Sequence, residues 1–592
     1  MRESLRDEPQ APEGAAAFAL AVLVGLTAIS PWAFGSVDPL PRFLLALTAL
    51  AACALTLAMR TAAGSGGGGL LLPDVPLWPL AALLGLGLLQ IAPLPATLLR
   101  LLAPGSAEVW YPQVEAARAI LGDGGRPISI DPEATREGLL LAVGLAGLAL
   151  TALPALMRPK SLLRSAVALT VASAVLAVYG IVARNRFGAL LYGVIPVPTI
   201  SPFGPFVSKN HFAGYVGPAA LLALGLVIGL AGRAREREWT KDRAAPGVVL
   251  ALVAALAMAI SLFVSHSRGG VVAALAGLAT LGALVLATRR RSSSLLPAAI
   301  VAAALAVALA IALPEEARAR VTTLDGASFR LDTWRDSLRL VARSPAFGHG
   351  FGSFADAFPR AKRGHGLVRV VHAENEYVEL AVEGGVLALG LAVLALLLPA
   401  RATFLDLPRR EPLRRGLTLG ALSGLAALAV HGAFDFNLHI PSNATLAALL
   451  AAFAAAGAGL RGARLRRPAL ALGAIAFAAM AIVLVAGGPR AFDRAAGWND
   501  VRGEVRAAAG SAQPEVRRLR VERATERLRA IVNGRPGFAE GWLLLAAVAR
   551  ETGDAERGRE LASYARTLDP SRPDLEQAAK AIGGGLGDDR IR

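Results

Sequence analysis

Apolar residues run along the chain in blocks of about twenty, separated by polar interruptions, as far as about residue 488. A block of that length, coiled as a helix, crosses a hydrocarbon core of roughly 30 Å, so each predicts a membrane span. The blocks fall at 15–34, 41–59, 69–91, 138–157, 161–183, 212–232, 246–264, 269–288, 295–313, 377–400, 416–434, 443–460 and 468–488, about thirteen in all. The pattern predicts an all-α, polytopic helical membrane protein. A glycine-rich joint, Gly64 to Gly69, precedes the third block. Three interruptions are much longer than the rest, at 93–136, 184–211 and 314–376. The last gathers aromatics, arginines, carboxylates and the histidines His349, His365 and His372.

Composition agrees with the pattern. Of 592 residues, 55% are hydrophobic and 18% charged, and the mean hydropathy is +0.52, which excludes an ordinary soluble protein. The net charge of +17 does not imply nucleic acid, because many basic residues sit in short clusters between apolar blocks. Cys53 is the single cysteine, so no intrachain disulfide and no cysteine-based metal site is available.

The basic clusters orient the chain. Arg60, Arg158 with Lys160, Arg233 to Arg243, Arg289 to Arg291, Arg401 to Arg415 and Arg461 to Arg467 fall in alternate loops, whereas 35–40 and 435–442 carry no Lys or Arg. The positive-inside rule makes the first set cytoplasmic. The polar N-terminus 1–14 is then cytoplasmic too, and the first block is a retained anchor. The segments 93–137, 184–211 and 314–376 become external, as does the tail 489–592. That tail is charged and amphipathic. Pro536 and Pro570 stand 34 residues apart, with Trp542, Leu545, Gly553-Asp554, Ala565 and Asp569-Pro570 between or beside them. This spacing is similar to a tetratricopeptide helix pair, and a weaker pair precedes it at 503–536. A short array of this kind needs a surface to lean on, either a partner or the membrane domain.

Several external positions carry candidate chemistry. Ser265-His266-Ser267-Arg268-Gly269-Gly270 places an arginine where one span ends and the next begins. A guanidinium there is costly unless paired or hydrated, and its planar fork suits phosphate oxygens. The plainer alternative is an arginine reaching lipid headgroups. Arg184, with Lys209, Asn210 and His211 at the mouth of the 212–232 span, would make a cationic pocket for an anionic headgroup, or simply interfacial anchors. Phe329 to Val341 reads as an amphipathic helix, with Leu331, Trp334, Leu338 and Val341 on one stripe and Asp332, Arg335, Asp336 and Arg339 opposite. Gly348-His349-Gly350-Phe351-Gly352 reads as a tight turn. His372 can take a proton from an attacking hydroxyl near neutral pH, and Glu374 or Glu376 can do the same or orient it. His372, His439 and Asp435 lack any compact zinc-ligand spacing, so neither a metal nor a cofactor is expected.

Taken together, Ser267-Arg268-Gly269, the Arg330/Trp334 helix leading to Pro345 and Gly348 to Phe354, and Asn375-Glu376-Tyr377 through Glu383-Gly384-Gly385 resemble the O-antigen ligase and Wzy-type polysaccharide polymerase superfamily. Phe203-Gly204 to Tyr215 and Phe434-Asp435-Phe436 also look like segments of that family, and the resemblance covers roughly 15–488. It implies metal-independent glycosyl transfer at the periplasmic face of a bacterial inner membrane. The donor would be a glycan on undecaprenyl diphosphate, the acceptor a hydroxyl on lipid A-core or another glycan. Arg268 would bind the diphosphate, helped by Arg184, Lys209, Asn210, Arg330 and Asn375, and a loop histidine would activate the acceptor. Family members often show His-Asn-x-Tyr where this chain has Glu374-Asn375-Glu376-Tyr377. The base therefore stays open between His372 and Glu374. A polymerase and a protein O-oligosaccharyltransferase share the architecture and differ in acceptor. A polysaccharide transporter ranks last, because polar chemistry gathers at the outer face rather than in paired broken helices at mid-membrane.

Overall fold

The computed structural model describes residues 13–63, 69–197, 201–236, 244–288, 327–363, 365, 368–407, 410–489 and 493–571. Nearly all regular structure among them is helical, with two small two-stranded antiparallel sheets. Eleven helices are long and apolar enough to span a membrane: Gly14–Trp32, Pro39–Ala62, Pro132–Leu156, Pro159–Phe187, Lys209–Ala234, Ala245–Val264, Arg268–Ala287, Glu376–Asp406, Pro412–Gly432, Pro441–Ala458 and Arg467–Gly487. The expected span at 295–313 lies outside the described residues. The block at 69–91 is not one helix: it forms a strand, Gly69–Leu71, then a helix of 14 residues, Trp78–Ile91. Pro73 and Pro76 interrupt the backbone ladder between them. The helix is about 21 Å long at 1.5 Å per residue, so hydropathy alone overstated the span.

The chain folds into two compact units, each assembled from three stretches. The first comprises 1–78, 140–324 and 394–489. Its centre is the crossing of the Lys209–Ala234 and Pro412–Gly432 helices, each carrying glycines four residues apart. A Cβ at Gly225 would lie 2.5 Å from the Gly416 carbonyl, and one at Gly420 would lie 2.7 Å from the Leu221 carbonyl. In lipid, where no hydrophobic force drives helices together, such backbone approach supplies the packing. Leu222, Leu226, Leu417, Ala421, Leu449 and Phe453 fill the surrounding core.

The helix ends of this unit sort into two sets. At one end Arg414 donates to the carbonyls of Leu156 (3.2 Å), Met157 (2.6 Å) and Ala456 (3.2 Å). A cation there meets the negative ends of two helices. Arg233 pairs with Glu411 at 3.1 Å, Arg410 with Asp406 at 2.9 Å, and the strand Gly69–Leu71 pairs with Arg464–Arg466. These are members of the basic set that the sequence places in the cytoplasm. At the other end Tyr215 donates to the Thr27 carbonyl at 2.6 Å, and the Tyr192 hydroxyl bonds the Trp32 carbonyl. Gly35 packs against Phe206 and Ile440 there.

The second unit comprises 79–139, 325–393 and 490–592. Two of the long polar interruptions and the tail thus share one core, built on Trp110, Ile130, Leu340, Phe354, Phe358, Trp542, Leu561 and Tyr564. The tail forms two helical hairpins, Arg494–Ala509 with Pro514–Gly534 and Ala539–Glu551 with Ala555–Leu568. The surface it leans on belongs to this chain. The Tyr564 hydroxyl donates to the Val109 carbonyl at 2.7 Å, Glu560 accepts from the Ala116 N–H at 2.8 Å, and buried Lys362 and Asp569 pair at 3.3 Å.

Gln90 joins the other stretches of this unit. Its amide donates to the carbonyls of Phe347 and Glu383, both at 2.9 Å, and accepts from the Phe351 N–H at 3.0 Å. The glycine-rich turn runs between these partners as the tight loop expected of it. Gly350 has φ +109° and lies against Ser129, so no side chain fits there. His349 is wholly buried, its N–H and Nδ1 both directed at the Val382 carbonyl. Burial and the charge of Arg360, acting against the Val382 hydrogen bond, bring its pKa down to about 3. It is a neutral core histidine.

Gln90→Leu is expected to strand the Phe347 carbonyl and the Phe351 N–H, while the Glu383 carbonyl keeps the Gly350 N–H, and to cost about 2–4 kcal/mol, read as a lower thermal midpoint of the purified protein. His349 also predicts the sign of an acid effect. The unfolded chain takes up this proton below pH 6.5 and the folded chain only below about 3, so stability falls as pH drops through that window. His349→Asn should flatten the dependence of the thermal midpoint on pH.

Candidate functional site

Each unit carries one polar constellation. In the first, two helices begin side by side. Ser267 caps the Arg268–Ala287 helix by accepting from the Gly270 N–H at 3.2 Å, and its hydroxyl donates to Asn210 Oδ1 at 2.8 Å. Asn210 is the second residue of the Lys209–Glu236 helix. Both helices therefore start with a cation, Lys209 in one and Arg268 in the other. A positive side chain at a helix N-terminus opposes the macrodipole by about 0.3–1 kcal/mol, so helix stability does not account for either residue. Together with the positive ends of the two helix dipoles, they present positive potential suited to an anion. Arg268 is exposed, and His266 beside it holds a left-handed φ of +56°, a conformation found disproportionately at functional turns.

Behind this pair lies a buried polar cluster that residue spacing did not reveal as a unit. His211 Nε2 stands 3.6 Å from Asp435 Oδ1, Asn443 donates to the His211 carbonyl and to Asn437, both at 3.0 Å, and Gly269 packs beside the His431 ring. Burial alone would push the Asp435 carboxyl up. The His211 contact, the His431 charge and the Phe436 N–H outweigh it and hold the group below the usual carboxylate range. Arg184 sits exposed in the last turn of the Pro159–Phe187 helix, where a cation suits the dipole, and no described contact joins it to Arg268.

In the second unit the sequence candidates gather around one backbone bend. His372 Nδ1 lies 2.7 Å from Glu379 Oε1, and the other Glu379 oxygen accepts from the Ala373 N–H at 2.8 Å. Glu379 is almost wholly buried and His372 half-buried. Glu374 turns the chain with φ +54° and pairs with Arg330 at 2.9 Å. Trp334 Nε1 donates to the Ala373 carbonyl at 2.9 Å. Asn375 Oδ1 accepts from the N–H groups of Tyr377 and Val378 at 3.0 and 3.1 Å, starting the Glu376–Asp406 helix. The Ala327–Arg343 helix thus grips this bend at two points, through Arg330 and Trp334.

Sequence reading singled out His372 and passed over its partner. The signal was present: a glutamate in the first turn after an Asn cap is placed to reach back to the chain before the helix. With a proton held between Nδ1 and the carboxylate, Nε2 becomes the basic nitrogen, and Glu379 fixes the ring and faces the charge it gains. The two candidate bases differ in engagement. Glu374 is tied to a guanidinium, whereas His372 is set by a buried carboxylate.

The protein is thus a polytopic helical membrane protein with helix-start cations in one unit and a carboxylate-oriented histidine in the other. Residues 253–395 match the family model described as O-antigen ligase, which supports a role as a membrane glycan ligase or polymerase. The match takes in Arg268, Arg330, His372, Glu374, Asn375 and Glu379, and leaves Arg184, Lys209, Asn210, Asp435 and the tail outside it. No curated protein matches the chain.

Glu379→Gln keeps the shape of the pair and removes its charge. It is expected to lower glycan transfer by on the order of 10²-fold, and Glu374→Gln by much less. The reverse ranking in a transfer assay on purified variants would make Glu374 the base.

Proposed function

We propose that the protein is an inner-membrane glycan transferase of the O-antigen ligase kind. It would move a glycan from undecaprenyl diphosphate to an acceptor hydroxyl at the periplasmic face, in surface polysaccharide biosynthesis. The observation that carries this reading is the His372–Glu379 pair, inside the stretch that matches the O-antigen ligase model. The acceptor oxygen attacks the anomeric carbon, the bond from that carbon to the diphosphate oxygen breaks, and polyprenyl diphosphate leaves with the electron pair. The hydroxyl proton passes to His372 Nε2, and Glu379 stabilises the imidazolium that results.

Arg268 and Lys209 are assigned to the diphosphate, because a leaving group that gains negative charge is stabilised by fixed cations. A guanidinium also offers phosphate oxygens a planar fork of donors. Asn210 holds Ser267 and so aligns the two helix starts, and Arg184 is assigned to the carrier headgroup. Arg330 and Asn375 shape the bend that carries the base, through Glu374 and through the helix cap. With these cations neutralising the leaving group, the reaction needs neither a metal ion nor a cofactor.

Sidedness follows the positive-inside rule: N-terminus in the cytoplasm, polar segments and tail in the periplasm. The two-set sorting of helix ends in the first unit is consistent with it. The tail, with its two hairpins and buried Trp542, is read as tetratricopeptide-like, and its outer face remains available to a protein partner. The acceptor separates three outcomes: lipid A-core for a ligase, a growing chain for a polymerase, a protein hydroxyl for an oligosaccharyltransferase.

In a deletion strain, Arg268→Ala and His372→Ala are each expected to insert normally and fail to restore the missing surface glycan. Restoration by both would sink the enzyme reading. The deletion phenotype itself picks the acceptor: glycan no longer attached to core, chains reduced to single repeats, or unglycosylated protein.

A further inference from the structure

The chain that leads into His372 is held by side chains from the C-terminal tail. Residues 368–371 have no regular structure, and Val368 and Val371 are exposed. The anchor of this stretch is Arg369. Its guanidinium donates to Asp356 Oδ1 at 3.0 Å and to Glu540 Oε1 at 3.4 Å, and lies 5.1 Å from the centre of the Phe538 ring. Glu540 and Phe538 belong to the tail. A third tail residue, Arg535, stands 4.6 Å from the centre of the same ring and takes both oxygens of Asp356, at 2.8 and 2.9 Å. Trp498 meets Phe538 edge-on at 4.9 Å, and Arg535 also approaches Asp131 at 3.4 Å. Two guanidinium groups therefore share one ring and one buried carboxylate, and one of the two lies three residues from the proposed base.

We infer that the tail is a positioning element for His372: Phe538, Glu540 and the Arg535–Asp356 pair hold Arg369, and Arg369 fixes the path of the chain into the base. The inference rests on the proposed role of His372. Downstream of that residue the bend is fixed by Trp334, Arg330 and Glu379; upstream, the tail supplies the hold. A buried ion pair contributes little net stability compared with an apolar contact of the same volume. What a forked, bidentate arrangement adds is geometry, which lysine does not reproduce.

The test uses full-length protein in lipid nanodiscs, with Arg369→Ala, Arg369→Lys, Phe538→Leu and Glu540→Gln compared against His372→Ala. Arg535 and Asp356 are left intact so that the tail stays docked. Positioning predicts a fall in kcat on the order of 10–100-fold for Arg369→Ala, with KM for the lipid-linked donor held within about twofold. Phe538→Leu and Glu540→Gln fall in the same direction by less, and Arg369→Lys does not restore the rate. Amide exchange at 368–375 speeds up in each variant while the tail helices keep their protection. Should Phe538→Leu lose the tail's protection, the surface substitution Glu540→Gln decides in its place. Wild-type kcat and unchanged exchange at 368–375, with His372→Ala inactive, overturn the positioning role and leave the base in place. Full activity in His372→Ala removes the reading beneath it.

Discussion

A single side-chain amide holds the second unit to one geometry. Gln90 reaches across sequence separations of 257, 261 and 293 residues to satisfy two carbonyls and one N–H. Phe347 and Phe351 lie outside any helix or sheet ladder that would otherwise serve them, and a buried group left unserved is expensive. The glycine turn can pass between Ser129 and Glu383 only because the amide takes up the groups that the turn exposes. The same region also ties the Glu376–Asp406 helix two turns in, where the Glu383 carboxylate accepts from the Phe354 N–H at 3.0 Å. From the start of that helix project Asn375, which caps it, and Glu379, which fixes His372. The orientation of the candidate base thus goes back to an amide whose sequence context is a short apolar helix.

The two constellations solve different electrostatic problems by different means. In the first unit, cations are placed where helix geometry already supplies positive potential, so the local backbone and the side chains act with the same sign. Ser267 and Asn210 link the two helix starts through neutral groups. In the second unit the charges are mostly matched. Glu379 meets His372, Glu374 meets Arg330, and Asp356 meets two guanidinium groups. An anion-receiving surface needs concentrated positive potential, whereas a proton-transfer group needs its surroundings fixed.

How far residues alone revealed this depends on the range of the interaction. All eleven spans among the described residues follow from blocks of apolar sequence, with ends shifted by up to six residues, as at Pro132–Leu156 and Glu376–Asp406. The block at 69–91 misled because hydropathy does not register Pro73 and Pro76. Arg268 and His372 were legible because a charged or titratable group beside an apolar block is conspicuous. Glu379 was hidden by ordinariness: a glutamate in the first turn of a helix reads as a solvated, dipole-satisfying residue, and only the fold buries it. Gln90 was hidden by distance, since nothing near it in sequence is its partner. The tail's hairpins followed from proline and tryptophan spacing. What they lean on did not, because Val109, Ala116 and Lys362 become neighbours only in three dimensions.

Assembly from three distant stretches also sets an order of events during synthesis. The core around Trp110 and Phe354 is closed by Trp542, Leu561 and Tyr564, which lie hundreds of residues further along the chain than Trp110. At about 5–20 residues per second, the early stretch waits tens of seconds for them. During that interval Asp356 and Lys362 are present without Arg535 and Asp569. A nascent chain therefore carries His372 long before it carries the tail residues that hold Arg369, and this unit closes only once the tail has been made.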